Sequence, residues 1–178
     1  MRLHAFLVVA ALVLAACSPA LNWRAVPLEG LTARLPCKPD RAQRTVRLAE
    51  TDLQLAMAGC EAGGGLFAIS RVPLANAAQS AAILAAWRKE TLRNMAAATV
   101  QEREFPPGAA WSHAVMVSAQ GQRPDGAAVQ AQLAWITTGA EIFHVAVRPA
   151  PQFRYDRHSV FRLAAAMTAG RRSPGGAV

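Results

Sequence analysis

The sequence predicts an α+β fold in which one domain holds an antiparallel sheet of about six to eight strands, packed by one long helix and a C-terminal helix. Three observations support this prediction. Several segments alternate apolar and polar residues with the period of a strand, and one segment has the period of a helix. The connections between strand segments are short, which favours antiparallel pairing. The length of 178 residues fits a single domain of ordinary size.

The first strands are expected near the start of the folded region. We predict that the fold begins at residues 23–35 with one strand. Pro36 and Pro39 end it, because proline cannot donate a hydrogen bond to a strand ladder. A second strand is predicted at residues 44–48.

Two more strands follow, separated by glycines. Residues 53–57 alternate, which places Leu53, Leu55 and Met57 on one face. Residues 66–72 are apolar on both faces, which indicates a strand in the interior of the sheet. The glycines at 63–65 lie between these two strand segments. They therefore predict a turn and not a phosphate-binding loop, which needs a strand before it and a helix after it.

The period changes at residues 76–99, where the pattern predicts one amphipathic helix that packs on the sheet. A helix that docks on a partner or a membrane surface is the alternative, but the charged face is mixed in sign. One side of the predicted helix is lined by Ser80, Ile83, Leu84, Trp87, Thr91 and Met95. The opposite side carries Lys89, Glu90 and Arg93.

Three further strands are predicted at residues 111–118, 129–135 and 142–148, joined by turns at Pro124-Asp125-Gly126 and Thr138-Gly139. In the last of them, alternation places His144 on the face opposite to Phe143, Val145 and Val147. Short connections again indicate antiparallel neighbours.

The C-terminal region predicts a second helix, capped near Asp156 or Ser159. Its apolar residues at helical spacing are Val160, Leu163, Ala164 and Met167. Residues 170–178 predict a disordered tail, so the single domain is expected to span residues 23–169.

The N-terminus has the layout of a secretory signal, with Arg2 followed by an uncharged apolar run from 5 to 16 that is too short to span a bilayer. Leu14-Ala15-Ala16-Cys17 resembles the lipobox of bacterial lipoproteins, although a plain signal followed by a chance cysteine is the alternative. The resemblance implies removal of residues 1–16 and acylation of Cys17, with 17–22 as a lipidated tether. It also implies transfer to the outer membrane, since Ser18 is not the aspartate that retains such proteins in the inner membrane.

The cysteine count predicts one disulfide. With Cys17 assigned to lipid, Cys37 and Cys60 remain as an even pair in an oxidising compartment. A hairpin that turns near residues 49–52 brings them roughly opposite each other. No Cys-x-x-Cys and no histidine at ligand spacing accompanies them, so we expect no metal site and no cofactor.

The order of elements, together with the segment Gly30-Leu31-Thr32-Ala33-Arg34-Leu35-Pro36, resembles the PsbP/Mog1-like α/β sandwich. The resemblance covers residues 23–168 and implies a scaffold used mostly for binding and assembly. It carries no specific motif, so it implies no site residues.

The formal net charge of +8 comes from arginines that are spread through the chain, with no basic run longer than Arg171-Arg172. Weak attraction to anionic lipid or polymer is possible for such a balance, but a solvated surface is the favoured interpretation and no nucleic-acid partner is expected.

Catalytic motifs are absent from the sequence: no Gly-x-Ser-x-Gly, His-Glu-x-x-His or Walker loop occurs. His113 shares an apolar face with Trp111 and is expected to be a core residue. His144 is the one histidine whose face could border a cleft, and His158 is expected at a helix start. The aspartates lie near predicted turns or caps, which does not favour paired catalytic carboxylates.

Two function classes remain. The favoured one is a non-enzymatic lipoprotein that is anchored in the outer membrane, faces the periplasm and binds an envelope protein or glycan. The alternative is a periplasmic hydrolase or other enzyme, with a site assembled from residues distant in sequence. A cleft in which His113 or His144 meets a serine and a carboxylate would favour the enzyme.

Overall fold

The computed structural model describes residues 21–103, 113–149 and 168–169. Ten strands in this part of the chain form two antiparallel sheets, with order β1-β2-β10 in the small sheet and β3-β4-β5-β9-β8-β7-β6 in the large one. The strands are β1 Arg24–Leu28, β2 Leu31–Leu35, β3 Asp40–Leu48, β4 Thr51–Ala62, β5 Gly65–Pro73, β6 Thr99–Arg103, β7 His113–Gln122, β8 Ala128–Thr138, β9 Glu141–Arg148 and β10 Thr168–Ala169. The predicted antiparallel α+β architecture is therefore confirmed.

The small sheet corrects the prediction of one strand over 23–35. The chain turns at Glu29-Gly30 and forms a hairpin in which Leu28 pairs with Leu31. Gly30 has a φ of +81°, a left-handed conformation that glycine adopts without steric cost. Glu29 and Gly30 are exposed, and the buried positions change there from 26 and 28 to 31, 33 and 35. This two-residue break in the alternation is the sequence signal of the turn, and the prediction of one strand overlooked it.

The large sheet consists of two meanders. Strands β3, β4 and β5 form the first and β6 to β9 the second, and β5 pairs with β9 to join them. Strand β5 therefore lies in the interior of the sheet, as predicted. The predicted glycine turn is also confirmed, since Gly63 and Gly64 have positive φ between the paired residues Ala62 and Gly65.

Each face of the large sheet carries its own apolar core. The first core packs between the large sheet and the small sheet and includes Leu31, Leu35, Phe67, Ile136 and Val145. The second core packs between the large sheet and the helix and includes Leu55, Ile83, Trp87, Leu133 and Trp135. Successive side chains along a strand point to opposite faces of the sheet, so the strands contribute residues to both cores.

One helix, α1, spans Ser80–Asn94 and follows a 3-10 turn at Ala77–Gln79. Ile83 and Trp87 are its buried residues, which confirms the predicted packing face. The prediction that the helix continues to residue 99 is wrong, because β6 already begins at Thr99. No helix in the described ranges is long and apolar enough to cross a membrane.

Contacts with β7 fix the C-terminal end of α1. The backbone N–H of Gln122 donates to the carbonyl of Met95 at 2.8 Å. A Cβ on Gly121 would lie only 2.0 Å from that carbonyl oxygen, so glycine permits the close approach. The end of the helix is thereby held against the sheet.

Several predictions fall outside the described residues. These are the signal and tether, the C-terminal helix with its caps at Asp156 or Ser159, and the tail at 170–178. Near the end of the chain, Thr168 pairs with Thr32 and Ala169 pairs with Leu31.

The predicted disulfide is present. The sulfur atoms of Cys37 and Cys60 are 2.00 Å apart, with 6.0 Å between the Cα atoms. The hairpin turns at Ala49-Glu50, and its register pairs Asp40 with Gly59. The bridge therefore fastens the connection between β2 and β3 to strand β4.

An ion-pair network links the hairpin of the small sheet to the large sheet. The Arg71 guanidinium pairs with Glu141 on β9 at 2.5 Å and with Glu29 in the β1–β2 turn at 2.6 Å. Arg71 and Glu141 expose only 13% and 18% of their side chains. The turn at Glu29 is thus held by a largely buried cation.

We predict that the double substitution Cys37→Ala, Cys60→Ala lowers the free energy of unfolding by about 2 to 5 kcal/mol without changing the fold. The physical reason is that the bridge restricts the unfolded chain, and that Cys60 is buried in the first core. Urea unfolding of the variant beside the wild type, with the wild type also measured after reduction, gives the value. Two alkylatable thiols at these positions in protein purified without reductant would contradict the disulfide.

Candidate binding cleft

A cleft of about 570 Å³ lies between the helix and the large sheet. The C-terminal half of α1, from Trp87 to Asn94, forms one wall together with Met95 just after it. Strand β3 also contributes lining residues, namely Arg44, Val46, Arg47 and Leu48. The floor of the cleft consists of strands β4, β5, β8 and β9, and residues 122–124 after β7 contribute to its edge. The volume is within the range of small-molecule sites, roughly 300 to 1,000 Å³.

Small side chains on the floor leave this space open. Ala68 on β5 is paired with Ala146 on β9, and the neighbouring pair is Ser70 with His144. Ala131 on β8 also lines the cleft. Where most of the sheet carries Leu, Ile, Val or an aromatic residue under the helix, Ala68, Ser70, Ala131 and Ala146 carry only one or two heavy side-chain atoms each. The helix therefore cannot close the gap by packing.

The rest of the lining is mainly apolar. The larger apolar side chains in contact with the cleft are Val46, Leu48, Leu55, Met57, Leu66, Trp87, Met95, Val129 and Leu133. Such a surface favours the apolar part of a ligand, since each buried methylene contributes roughly 0.8 kcal/mol.

The charged groups around the cleft are mostly cationic. Among the described residues, Arg44, Arg47, Arg123 and Arg148 line it, and Glu90 contributes the single carboxylate. Glu90 is itself paired with an arginine, Arg93 of the same helix. The described charged side chains that line the cleft therefore carry a net positive charge.

Two of these arginines are already paired and two are not. Arg47 contacts carboxylates of its own hairpin at 2.9 and 3.5 Å, and Arg123 contacts Asp125 at 3.2 Å. Arg44 and Arg148 form no ion pair with any residue that the structure describes. Arg148 is half-buried and Arg44 is exposed.

His144 is a buried member of the floor. Its ring stacks on Trp135 at a centroid distance of 4.8 Å and lies 5.4 Å from the ring of Trp87. Burial lowers the pKa of His144 from 6.5 to about 4, because the charged imidazolium is poorly solvated there. The imidazole is therefore neutral at pH 7.

Two ring nitrogens beneath the cleft have no hydrogen-bond partner in the described structure. They are Nε2 of His144 and Nε1 of Trp135. Each such buried group costs about 1 to 3 kcal/mol relative to a satisfied one. This region is thus not packed for maximal stability.

A serine, a histidine and a carboxylate line the same cleft, since Ser70, His144 and Glu90 all contact it. They do not form a catalytic triad. Nε2 of His144 accepts no hydrogen bond from the Ser70 hydroxyl, and the Glu90 carboxylate is engaged by Arg93. A general base also needs a pKa near the working pH, which His144 lacks.

The other predicted candidates lie elsewhere. Cys60 belongs to the first core, on the opposite face of the large sheet. The backbone of His113 begins β7, whereas Cys17, Trp111 and His158 are outside the described residues. Within the ranges that the structure covers, no group of three His, Cys, Asp or Glu side chains could hold a metal ion.

The prediction that His144 faces away from Phe143, Val145 and Val147 is confirmed, and so is the possibility that it borders a cleft. The prediction for Glu90 is only half right, because it lies at the edge of the packing face and reaches the cleft. The cluster of arginines was missed, since its members come from three segments distant in sequence.

We predict that stability falls as the pH is lowered from about 6.5 to about 4. Below pH 6.5 the His144 of the unfolded chain takes up a proton, while the folded protein excludes it until about pH 4. The unfolded state then binds more protons, so the free energy of unfolding decreases by up to about 1.4 kcal/mol for each pH unit.

The measurement is urea unfolding at pH 7.5 and pH 5, where this group alone accounts for a difference of about 2 kcal/mol. The variant His144→Phe keeps an aromatic ring between the two tryptophans and should lose that part of the pH dependence. An equal pH dependence in variant and wild type would show that His144 is not buried as a neutral group.

Comparison with known proteins gives no family. No protein-family model and no curated protein matches the chain. Among solved structures the chain is similar to PA94 of Pseudomonas aeruginosa, a protein of unknown function described as a candidate regulator, with 16% identity and a TM-score of 0.32. The match covers 72% of this chain and 83% of PA94. A likeness at this level carries no conclusion about fold or function.

Proposed function

We propose that this protein is a non-enzymatic binding module of the bacterial envelope and that the cleft between α1 and the large sheet is its binding site. The observation that carries the proposal is the cleft itself. Its floor of small residues beneath a helix keeps about 570 Å³ open next to apolar and cationic side chains. A protein without a ligand at this face would gain stability by filling that space.

The envelope location rests on the resemblance of Leu14-Ala15-Ala16-Cys17 to a lipobox. In this proposal Cys17 carries the lipid, residues 17–22 tether the domain, and the anchor lies in the outer membrane with the protein facing the periplasm. The disulfide between Cys37 and Cys60 is consistent with such an oxidising compartment. The predicted C-terminal helix is part of the same proposal.

Binding is favoured over catalysis by the state of the polar groups at the cleft. His144 is neutral and stacked, its Nε2 has no hydrogen-bond partner, and the carboxylate at the edge is paired with an arginine. The hydrolase remains as a second candidate because Ser70 and His144 are cross-strand neighbours. Only that candidate requires Ser70→Ala to abolish the biological effect in a protein that still folds.

For the anchor, we predict that Cys17→Ser blocks lipidation and leaves an uncut precursor, because the sulfur that accepts the diacylglycerol is lost. Mass spectrometry of the N-terminus of wild type and variant decides this. A wild-type chain that is cleaved at another residue and carries no lipid would contradict both the anchor and the outer-membrane location.

For the cleft, we predict that a photoreactive phenylalanine derivative at Thr91 crosslinks a ligand in the native envelope. Thr91 lines the cleft from the helix side. The same group at Ala85, which is exposed on the helix, is the matched control. Adducts that appear at position 91 and not at 85 support the cleft, and their mass separates a small molecule from the protein or glycan partner expected from the sequence.

Substitutions that fill the cleft should abolish ligand binding, whereas a bulky substitution on the solvent side of the helix should not. Ala146→Leu fills the floor and Thr91→Phe fills the space from the helix, whereas Ala85→Leu adds equal bulk on the solvent side. Loss of the position-specific adduct and of the biological effect in a folded blocked variant supports the proposal. If blocked variants behave like Ala85→Leu, the cleft is not the functional site.

A further inference from the structure

We propose that the ligand of the cleft is an anionic amphiphile, a molecule with an acyl or alkyl chain and a carboxylate or phosphate headgroup. The inference rests on the proposed function and adds the chemical class of the ligand. Two independent properties of the described residues carry it. The first is the apolar character of the side chains inside the cleft, and the second is the positive charge of Arg44 and Arg148 at its rim, which have no ion-pair partner among these residues.

The side chains inside the cleft favour a ligand with a hydrocarbon chain. Leu55, Met57, Leu66 and Leu133 come from three strands of the sheet, and Trp87 and Met95 come from the helix above them. These side chains offer no hydrogen-bonding group except the indole N–H. A sugar or a peptide would leave its own polar groups unpaired on such a surface, at a cost for each of them. A hydrocarbon chain has no polar group of its own that would be left unpaired there.

The rim selects for a negative headgroup, and Arg148 is its best partner. The register places Arg148 opposite Leu66, at the last residue of β9. It is half-buried and has no carboxylate partner among the described residues. A partly desolvated guanidinium without a counter-ion is costly, and carboxylate or phosphate fits its forked donors.

Arg44 supplies a second unpaired cation on β3, opposite Leu55. It is exposed, so solvent screens it more than Arg148. We therefore assign the main contact to Arg148, with Arg44 adding long-range attraction. The paired Arg47 and Arg123 contribute less, because neighbouring carboxylates already offset their charge.

The test is calorimetric titration of residues 17–178, produced directly without residues 1–16 and with Cys17→Ser, so that no attached acyl chain competes. The probes are laurate, dodecyl phosphate, glycerol monolaurate, dodecyltrimethylammonium and inorganic phosphate, each below its micellar concentration. We expect one laurate or one dodecyl phosphate to bind per chain. The uncharged ester should bind about tenfold more weakly, and the cation and inorganic phosphate should not bind measurably.

Chain length gives a second readout. Shortening the alkyl phosphate from twelve to ten and eight carbons should weaken binding by up to about fourfold per methylene if the chain is buried in the cleft. An affinity that does not depend on chain length would overturn the assignment of the interior to a hydrocarbon chain.

Arginine variants locate the headgroup. Arg148→Gln should weaken binding of both anions about tenfold and leave glycerol monolaurate unchanged. Arg44→Gln should have a smaller effect that disappears at high salt. The matched control is Arg34→Gln, which removes the same charge from an exposed position on β2, remote from the cleft lining. If Arg34→Gln and Arg148→Gln weaken anion binding equally, the affinity depends only on the net charge of the protein, and the proposal is overturned.

The outcomes separate the two proposals. If the uncharged or cationic amphiphile binds as tightly as the anions, the anionic class is wrong while binding in the cleft stands. If no amphiphile binds, the ligand class is wrong, and the position-specific crosslink at residue 91 decides independently whether the cleft binds anything.

Discussion

The pairing of β5 with β9 is the contact on which the rest of the structure depends. It joins two meanders that are separated in sequence by the helix, and its register runs from Leu66 opposite Arg148 to Pro73 opposite Glu141. Phe67, Ile69 and Val145 on one face of this pair are fully buried. Because α1 lies in the connection between the two meanders, closure of this pairing holds the helix over the other face. The cleft therefore exists only once the two halves of the sheet have met.

Strands β5 and β9 also hold the small sheet in place. Arg71 on β5 and Glu141 on β9 form the largely buried ion pair that extends to Glu29. Replacing such a pair by apolar residues often costs little, whereas removing one partner is strongly destabilising. We interpret the network as a device that fixes where the β1–β2 hairpin docks. Gly30 belongs to this arrangement, since a Cβ there would lie 2.9 Å from a carboxylate oxygen of Glu141.

Much of the sheet could be predicted from the sequence, because burial of apolar side chains is the dominant force and it imposes an alternation of apolar and polar residues along the strands. The prediction failed at places where a local backbone contact or turn determines the end of an element. The helix was extended too far because Ala96, Ala97 and Ala98 have high helix propensity, yet the approach of β7 at Gly121 ends it. A turn at Gly30 was missed although the alternation breaks there. Leu28 and Leu31 are three residues apart, whereas a continuous strand would bury residue 30.

The site was harder to predict than the fold for a different reason. His144 could be placed on the correct face by alternation within one strand. The cationic rim could not, because Arg44, Arg123 and Arg148 meet only through the register of strands far apart in the chain. The same holds for the floor, where alanines that are unremarkable in sequence become significant once Ala68 and Ala146 are seen to be paired under the helix.

The two faces of the large sheet differ in how completely they are closed, and the proposed binding site lies on the less completely closed face. One face is covered by the small sheet and fastened by a disulfide and an ion pair. The other is covered by the 15-residue helix α1, and beneath it lies an open volume. Among the described residues, the ring nitrogens of Trp135 and His144 have no hydrogen-bond partner there, and the half-buried Arg148 has no ion-pair partner. Each of these features lowers stability, and larger apolar residues at a few alanine positions would remove the first of them. Proteins retain such local violations of good packing mainly where they serve binding or catalysis. The neutral imidazole of His144, which stacks on Trp135 at this face, agrees with the proposed binding cleft.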